Sequence, residues 1–281
     1  QARELILESD VVVENFGYGG MKKFNLDYET LSKENTKLIY CSITGFGSSE
    51  QARELVGYDL LVQAMSGLMS ITGNQLAEPS KVGVALIDVI AGLHAVSGIL
   101  AALRARDQFG IGQEVEINLL SSALSGMVNQ SGAYAAAGVV PVRLGNSHPS
   151  IVPYGVFQGF DRAFIVAVGN DQQFVRLANI LGLAVDENNA TNSQRVKNRV
   201  QVERRLNSLF SSKSAAEWIE ILNKDRIPSG PINDIAEAFK LAESLNLDAI
   251  VAIDDSKTVA NPIKFSKSKI RYRKAPPELG K

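Results

Sequence analysis

The sequence is poor in cysteine and histidine, with one Cys and two His among 281 residues. A single cysteine, Cys41, excludes a disulfide within the chain and fits a reducing, intracellular compartment. Cys41 lies in the apolar run "LIYCSI", so we interpret it as an inert core residue. With only His94 and His148, and no cysteine cluster, we expect no metal site built from His and Cys ligands.

An excess of either charge is also missing, since 29 Lys and Arg face 30 Asp and Glu and the net charge is −1. This balance gives no broad electrostatic reason to expect nucleic acid or an anionic membrane as a partner. The apolar runs are interrupted before the ~20 residues that a membrane-spanning helix needs. Neither a G-x-S-x-G nor a G-x-x-x-x-G-K-[ST] motif occurs, so serine-hydrolase and P-loop functions have no support.

The residues that are present, 45% hydrophobic and 21% charged, are typical of a globular protein with a sizeable core. Residues 1–142 alternate short β-branched runs with helical periodicity, which predicts a large α/β domain with a parallel sheet. The Pro-, Gly- and Ser-rich stretch at 138–153 predicts a domain boundary.

Residues 150–228 predict a smaller α+β domain. Its patterns are a β-hairpin in "YGVFQGFDRAFIVAVG" and helices at 171–183, 195–211 and 214–224. Residues 229–281 predict a helix and two short strands, "DAIVAIDD" and "IKFSKSKIRYR". This last segment has few apolar residues, so we expect it to return and pack against the large domain.

Asp88 is the only formally charged residue in "VGVALIDVIAGLHAVSGILAAL", residues 82–103. One interpretation is that Asp88 is the N-cap of the helix that follows, and by itself this interpretation is favoured. The other interpretation is that Asp88 is a nucleophile, and it starts from the free-energy cost of burying a carboxylate without partners. Free amides and the helix dipole would keep such a group ionised but poorly hydrated, which makes it a usable nucleophile.

Two further elements are weaker signals. "VVVENFGYGGMKKF", residues 11–24, is a strand that enters a glycine-rich turn followed by Lys22 and Lys23, which predicts either a phosphate cradle or only a turn. In "GYDLLVQAMSGLM", Tyr58 and Asp59 open a helix, which alone indicates no function. His94 lies within an apolar helical pattern and is interpreted as a hydrogen-bonded core histidine.

Taken in order, several segments resemble the family III CoA-transferases, the CaiB/BaiF group. They include "VVVENFGYGGMKKF", "LIYCSITGFG", "GYDLLVQAMSGLMSITG", "VGVALIDVIAGLHAVSGILAALRARDQFGIGQEVEINLL", "GNSHPSIVPYGVF", "GNDQQF" and "PSGPIND". The resemblance covers nearly the whole chain and is greatest to the mitochondrial succinate-hydroxymethylglutarate CoA-transferase branch. It implies a Rossmann-like large domain, a smaller α+β domain and an interlocked homodimer, located in the mitochondrion or the cytoplasm.

The resemblance also implies the chemistry. CoA and acyl-CoA would be substrates, with a free, dicarboxylic acid as acceptor, and no cofactor or metal would be bound permanently. Asp88 matches the catalytic aspartate, which forms an aspartyl anhydride and then an aspartyl-CoA thioester. The positions expected to contact CoA or line its pocket are Asn15, Phe16, Gly17, Lys23, Val56, Gly57, Tyr58 and Asp59.

The sequence departs from the family pattern in several places. A leading βαβ region and a closing helix of the family lie outside the printed residues, "GFGQTGPY" is replaced by "GFGSSEQAREL", and a "DG" turn reads Asp161-Arg162. Two alternatives therefore stay open. The racemases of the group carry a His in place of Tyr58, and a Tyr with a pKa near ~10 is a poor substitute for a His near ~6.5. The other alternative is a non-catalytic, CoA-binding scaffold protein.

Overall fold

The computed structural model describes residues 1–277 and residue 279. Its contacts divide the chain into two compact units, Gln1–Asn146 and Ser147–Lys281, which are called unit 1 and unit 2 below. The division falls within the Pro-, Gly- and Ser-rich stretch that predicts a domain boundary.

Unit 1 is built on a parallel sheet, as the alternation of strand and helix patterns predicts. The strands are β1 (Val11–Glu14), β2 (Ile39–Thr44) and β3 (Glu114–Asn118), paired in the order β1-β2-β3. Its helices are α1 (Ala2–Leu7), α2 (Tyr28–Leu31), α3 (Asp59–Met65), α4 (Leu68–Ile71), α5 (Leu86–Phe109), α6 (Leu119–Gly126) and α7 (Asn129–Ala137), with a 3-10 turn at Lys22–Phe24.

The long helix α5 packs on the sheet through small residues. Its buried positions are Ile87, Ala91, Ala95 and Ala102. A Cβ on Gly98 would lie 2.8 Å from a methyl carbon of Val115, so the helix approaches β3 closely. His94 Nδ1 lies 3.1 Å from Ser122 Oγ of α6, so the predicted hydrogen bond is present, but His94 is half-buried and not a fully buried core residue.

The opposite side of α5 carries its large apolar side chains outward. They are more than half exposed and recur four, three and four residues apart, at Val89, Leu93, Val96 and Leu100. On length and composition alone α5 could cross a membrane, with a mean hydropathy of 2.0 over eighteen residues, a test that core helices of soluble proteins also pass. The expectation that no segment spans a membrane stays a prediction.

Unit 2 contains the predicted hairpin, formed by β4 (Tyr154–Gln158) and β5 (Ala163–Ala167). A third strand, β6 (Ser229–Pro231), pairs antiparallel with β5. The helices are α8 (Asp171–Leu181), α9 (Asn192–Lys197), α10 (Arg199–Phe210), α11 (Ala215–Lys224) and α12 (Ile235–Ser244). The predicted helix at 195–211 is divided at Asn198, which ends α9 and begins α10 and whose side-chain amide donates to Asn188 O.

The core of unit 2 is centred on Phe210. The Phe210 ring packs against the rings of Phe157, Phe164 and Trp218, with centroids 5.2 to 5.4 Å apart. In the same unit, Arg195 is fully buried, pairs with Asp171 at 2.7 Å and donates to backbone carbonyls, so its charge is satisfied.

One predicted strand is wrong. β7 (Ile250–Ile253) pairs with β8 (Ser256–Val259) across a two-residue turn, and "IKFSKSKIRYR" is not a strand in the described residues. The turn residue Asp254 has a φ of 51°, a left-handed conformation that Asp tolerates. The segment "SKTV" follows immediately and forms the hydrogen-bonded partner strand of β7, so β7 does not pair with a segment further along the chain. β6 also lies within the predicted return segment, and the packing of that segment on the large domain stays a prediction.

Candidate active site

Asp88 lies inside the first turn of α5 and is not its N-cap. The helix begins at Leu86 after Ala85, whose methyl side chain cannot accept a hydrogen bond. The acceptor comes instead from α3, because Asp59 Oδ1 lies 2.7 Å from Ile87 N and 3.2 Å from Asp88 N. The interpretation of Asp88 as a helix cap is therefore wrong, and Asp59 satisfies two of the free amides of α5.

The Asp88 carboxylate is exposed, which corrects the expectation of a buried group. Partial desolvation, followed by the negative charge of Asp59, raises the pKa of the Asp88 carboxyl above its ordinary value. The sequence predicts that the helix N-terminus favours the ionised form, but desolvation and the neighbouring carboxylate together raise the pKa instead. A raised pKa means a more basic carboxylate oxygen, which is a stronger nucleophile when it is ionised.

Asp59 is itself held by a buried amide. Gln63, one turn later in α3 and 1% exposed, places its Nε2 2.5 Å from Asp59 Oδ2. Gln63 Oε1 accepts a hydrogen bond from Val82 N at 2.9 Å, and Nε2 also lies 3.3 Å from Val84 O. The side chain of Gln63 therefore connects Asp59 with the segment that leads into α5.

A cleft of about 460 Å³ in unit 1 brings most of the predicted site residues together. Those that line it are Asn15, Phe16, Gly17, Val56, Gly57, Tyr58, Asp59 and Asp88. Tyr58 precedes α3 and is 72% exposed. Lys23 lies in the 3-10 turn and is not part of the lining formed by the described residues, so its contact with CoA phosphates stays a prediction.

Two glycines of the cleft lining, Gly45 and Gly57, bring two backbone segments into contact. An added Cβ on Gly57 would lie 2.3 Å from Gly45 Cα, and one on Gly45 would lie 2.5 Å from Gly57 Cα. No other residue allows the backbone that leaves β2 to touch the backbone that enters α3. The sequence signal is the pair "TGFG" and "VGYD", but only the structure shows that the two glycines face each other.

Several residues of the cleft were not among the predicted site residues, and two of them, Arg53 and Tyr18, contact each other. The Arg53 guanidinium carbon lies 4.5 Å from the centroid of the Tyr18 ring, a cation–π contact that orients the arginine. Arg53 thus supplies positive charge to a cleft that also contains Asp59 and Asp88. The signal was its place in "SSEQAREL", the stretch that departs from the family pattern.

A second groove, of about 280 Å³, lies next to the glycine-rich turn and is acidic. Its lining carboxylates are Glu14, Asp27, Glu29, Glu114 and Glu116. They disfavour a phosphate there, and Glu14 Oε2 already accepts the hydrogen bond of Phe16 N at 2.8 Å. The backbone amide of Phe16 is therefore already hydrogen-bonded to a carboxylate of the chain and is not free to bind a phosphate.

Cysteine and metal chemistry were also considered in the sequence. Cys41 is buried, and burial followed by the charge of Glu14 raises the pKa of its thiol, as expected of an inert core cysteine. Among residues 1–277 and 279, no group of three or more His, Cys, Asp or Glu side chains is arranged to hold a metal ion. The absence of a metal stays a prediction.

The sequence profile of CoA-transferase family III matches residues 1–281. The chain belongs to this family. The succinate–glutarate CoA-transferase of Agrobacterium fabrum is 42% identical to this family III chain over 287 residues, covering 99% of the chain and 72% of the relative. The succinyl-CoA:glutarate CoA-transferase of Mus musculus is 35% identical over 286 residues, covering 99% and 66%.

A CaiB/BaiF family protein from Brucella suis has a similar crystal structure, with a TM-score of 0.86 and 39% sequence identity. The match covers 99% of this chain and 74% of that one. The predicted family and α/β fold class are thereby confirmed, and the family III chain is an enzyme of the transferase class.

Proposed function

We propose that this family III protein transfers CoA from an acyl-CoA to a free dicarboxylic acid, with Asp88 as the nucleophile. The observation that carries the proposal is the position of Asp88. Its carboxylate lies at a cleft formed by the segments expected to bind CoA, next to an aspartate that holds its backbone. The dicarboxylic acceptor is supported by relatives named for succinate and glutarate.

The reaction balances without an added reagent. A carboxylate oxygen of Asp88 attacks the acyl carbon of the donor, the C–S bond breaks, and CoA leaves as a thiolate from an aspartyl acyl anhydride. The thiolate then attacks the aspartyl carbonyl carbon and releases the donor acid, which leaves an aspartyl-CoA thioester. The acceptor carboxylate then attacks the aspartyl carbonyl carbon and displaces the CoA thiolate, which gives an anhydride between Asp88 and the acceptor. The thiolate attacks the acyl carbon of the acceptor, which releases the new acyl-CoA and regenerates the Asp88 carboxylate.

Arg53 fits a role in binding the anionic substrates. It is oriented by Tyr18 and faces a cleft whose other charged residues include Asp59 and Asp88. Replacing it, Arg53→Ala, is expected to raise KM for the acyl-CoA or the acceptor acid by about tenfold, because a charge-assisted contact contributes roughly 1.5 kcal/mol. Steady-state kinetics checks this, with Arg204→Ala, at an exposed position of α10 outside the cleft, as the matched control.

The direct test uses the chain with succinyl-CoA and a panel of mono- and dicarboxylic acids. Mass spectrometry follows the new CoA esters, and hydroxylamine added during turnover should label Asp88 alone. CoA binding without any new ester would overturn the transferase function and favour the scaffold alternative. Exchange of the α-proton of a 2-methylacyl-CoA without CoA transfer would favour the racemase, although the family resemblance implies Tyr58 in place of the racemase histidine.

We also propose a homodimer and an intracellular location, mitochondrial or cytoplasmic. The exposed apolar residues of α5 support assembly, because monomeric proteins rarely expose large contiguous apolar patches. Sedimentation equilibrium at micromolar concentration tests the dimer, and a monomer there would contradict it. Fractionation of cells that produce the protein tests the location.

A further inference from the structure

Gln63 is buried, and both polar atoms of its side-chain amide make hydrogen bonds. A buried amide is costly unless its polar atoms have partners, and an apolar residue would fill the same space without that requirement. Here Nε2 lies 2.5 Å from Asp59 Oδ2, and Oε1 accepts the hydrogen bond of Val82 N at 2.9 Å. The specific bonds that Gln63 makes therefore call for an explanation beyond packing.

The two carboxylate oxygens of Asp59 accept hydrogen bonds from different partners. Oδ2 is held by Gln63 from the same helix, one turn away. Oδ1 is left to face α5, where it accepts from the amides of Ile87 and Asp88. Because both oxygens are engaged, the Asp59 carboxylate cannot rotate without breaking bonds on one side or the other.

The second end of Gln63 lies on the segment that enters α5. Val82 N donates to Oε1, and Val84 O accepts from Nε2. Gln63 thus fixes the backbone just before α5, while Asp59 fixes the first turn of the helix. Both constraints meet at the residue whose side chain faces the cleft, Asp88.

We propose that Gln63 is a positioning residue for Asp88, which acts through Asp59 and through the backbone at Val82. The inference rests on the proposed function of Asp88 as the nucleophile. A nucleophilic oxygen must reach the acyl carbon at about 3 to 3.5 Å in the correct orientation, and a displacement of about 1 Å is known to cost about 100-fold in rate. Gln63 is 1% exposed, so it reaches a substrate only through the residues that it holds.

The test compares three variants of the full chain. Gln63→Met keeps the size of the side chain and removes both kinds of hydrogen bond. Gln63→Glu keeps the acceptor for Val82 N but, when ionised, repels Asp59, whereas its protonated form donates to Asp59 Oδ2. Gln172→Met, at an exposed position of α8, is the matched control.

Two readouts are taken, and melting temperatures identify variants that do not fold. For Gln63→Met we expect kcat to fall by about 10- to 100-fold with KM within about threefold, because the alignment of the nucleophile changes and not the binding surface. We also expect hydrogen exchange at the amides of Ile87 and Asp88 to accelerate by about tenfold. For Gln63→Glu, we expect kcat relative to the unmodified chain to rise as the pH is lowered, a trend that a purely structural role would not produce.

A folded Gln63→Met variant with unchanged kcat and unchanged exchange at Ile87 and Asp88 would overturn the inference. If Gln63→Met does not fold, the pH dependence of Gln63→Glu decides, and a constant ratio to the unmodified chain overturns it. If the unmodified chain transfers no CoA, the proposed function is overturned. The exchange measurement at Ile87 and Asp88 then decides on its own whether Gln63 holds the start of α5.

Discussion

Unit 1 and unit 2 bury their apolar side chains in different ways. In the described part of unit 2, one continuous cluster extends from Val152 to Ile227 and includes the rings around Phe210. In the described part of unit 1, the apolar clusters are small, one around Ile87 and the other around Leu38. The candidate active site belongs to the unit with the smaller apolar clusters. The candidate catalytic residues and the largest apolar cluster therefore lie in different units. We expect substitutions in the cleft of unit 1 to reduce activity and substitutions in the cluster of unit 2 to reduce stability.

The largest expected effect is on chemistry in unit 1. Asp88→Asn removes the nucleophile, because an amide oxygen does not form the anhydride, and we expect transfer to fall by at least about 1,000-fold. Since Asp59 and not Asp88 caps α5, the fold should survive the change. Initial rates and circular dichroism measure both quantities. The matched control, Asp107→Asn near the other end of α5, is expected to keep its rate, and an active Asp88→Asn variant would refute the mechanism.

In unit 2 we expect a loss of stability and not a specific loss of activity. Phe210→Ala removes a fully buried ring from the centre of the cluster and is expected to lower the free energy of unfolding by about 3 to 5 kcal/mol. Phe160→Ala, at a position that is 68% exposed, is the control and should change it by less than about 1 kcal/mol. Urea denaturation measures the difference. Equal effects of the two substitutions would show that the cluster is not the main source of stability.

A smaller effect is expected where backbone geometry shapes the cleft. Gly57→Ala would place a Cβ 2.3 Å from Gly45 Cα, so the two backbones must separate. Asp59 follows two residues later, and we expect kcat to fall by about 10- to 100-fold as the α3–α5 bonds are displaced. Gly132→Ala in α7, with nothing within 4 Å of the added methyl, is the control in the same unit. Unchanged kinetics of Gly57→Ala would mean that the cleft tolerates the displacement.

The smallest expected effect is a dependence of stability on pH. Because the pKa of Asp88 is raised in the folded chain, that state binds more protons than the unfolded state between the ordinary and the raised pKa. The contribution of Asp88 to stability therefore decreases as the pH rises through this window. Asp88→Asn should be slightly more stable than the unmodified chain at neutral pH, and the difference should fade near pH ~3.9. Urea denaturation from pH 4 to 7 checks the trend, and a constant difference would contradict it.

Local patterns predicted the fold better than the site. β-branched runs predicted β1 and β2, and the paired apolar runs predicted the β4–β5 hairpin, because these signals are contained within a few residues. The bond from Ile87 N to Asp59 joins positions 28 residues apart and depends on how the chain returns through the Gly45–Gly57 contact. No local pattern encodes such a bond, so Asp59 was recognised as a neighbour of the pocket and not as the cap of α5.

The start of α5 shows why the environment of Asp88 was misjudged. A helix boundary read from a sequence is uncertain by a few residues, and here three residues separate the N-cap position, Ala85, from Asp88 in the first turn. That shift turns the Asp88 carboxylate toward solvent. The apolar neighbours that suggested burial are themselves exposed, Val89 by 55% and Leu93 by 63%.

The contact between Gly45 and Gly57 makes residues 46–56 a loop whose two ends touch. Loops of this kind can be exchanged as units, because their ends keep the same separation whatever lies between them. This loop contains Arg53 and the stretch in which the chain departs from its family pattern. An engineer could graft the corresponding loop of a relative between the two glycines and change which acid is accepted, while the bonds from Asp59 to α5 stay in place.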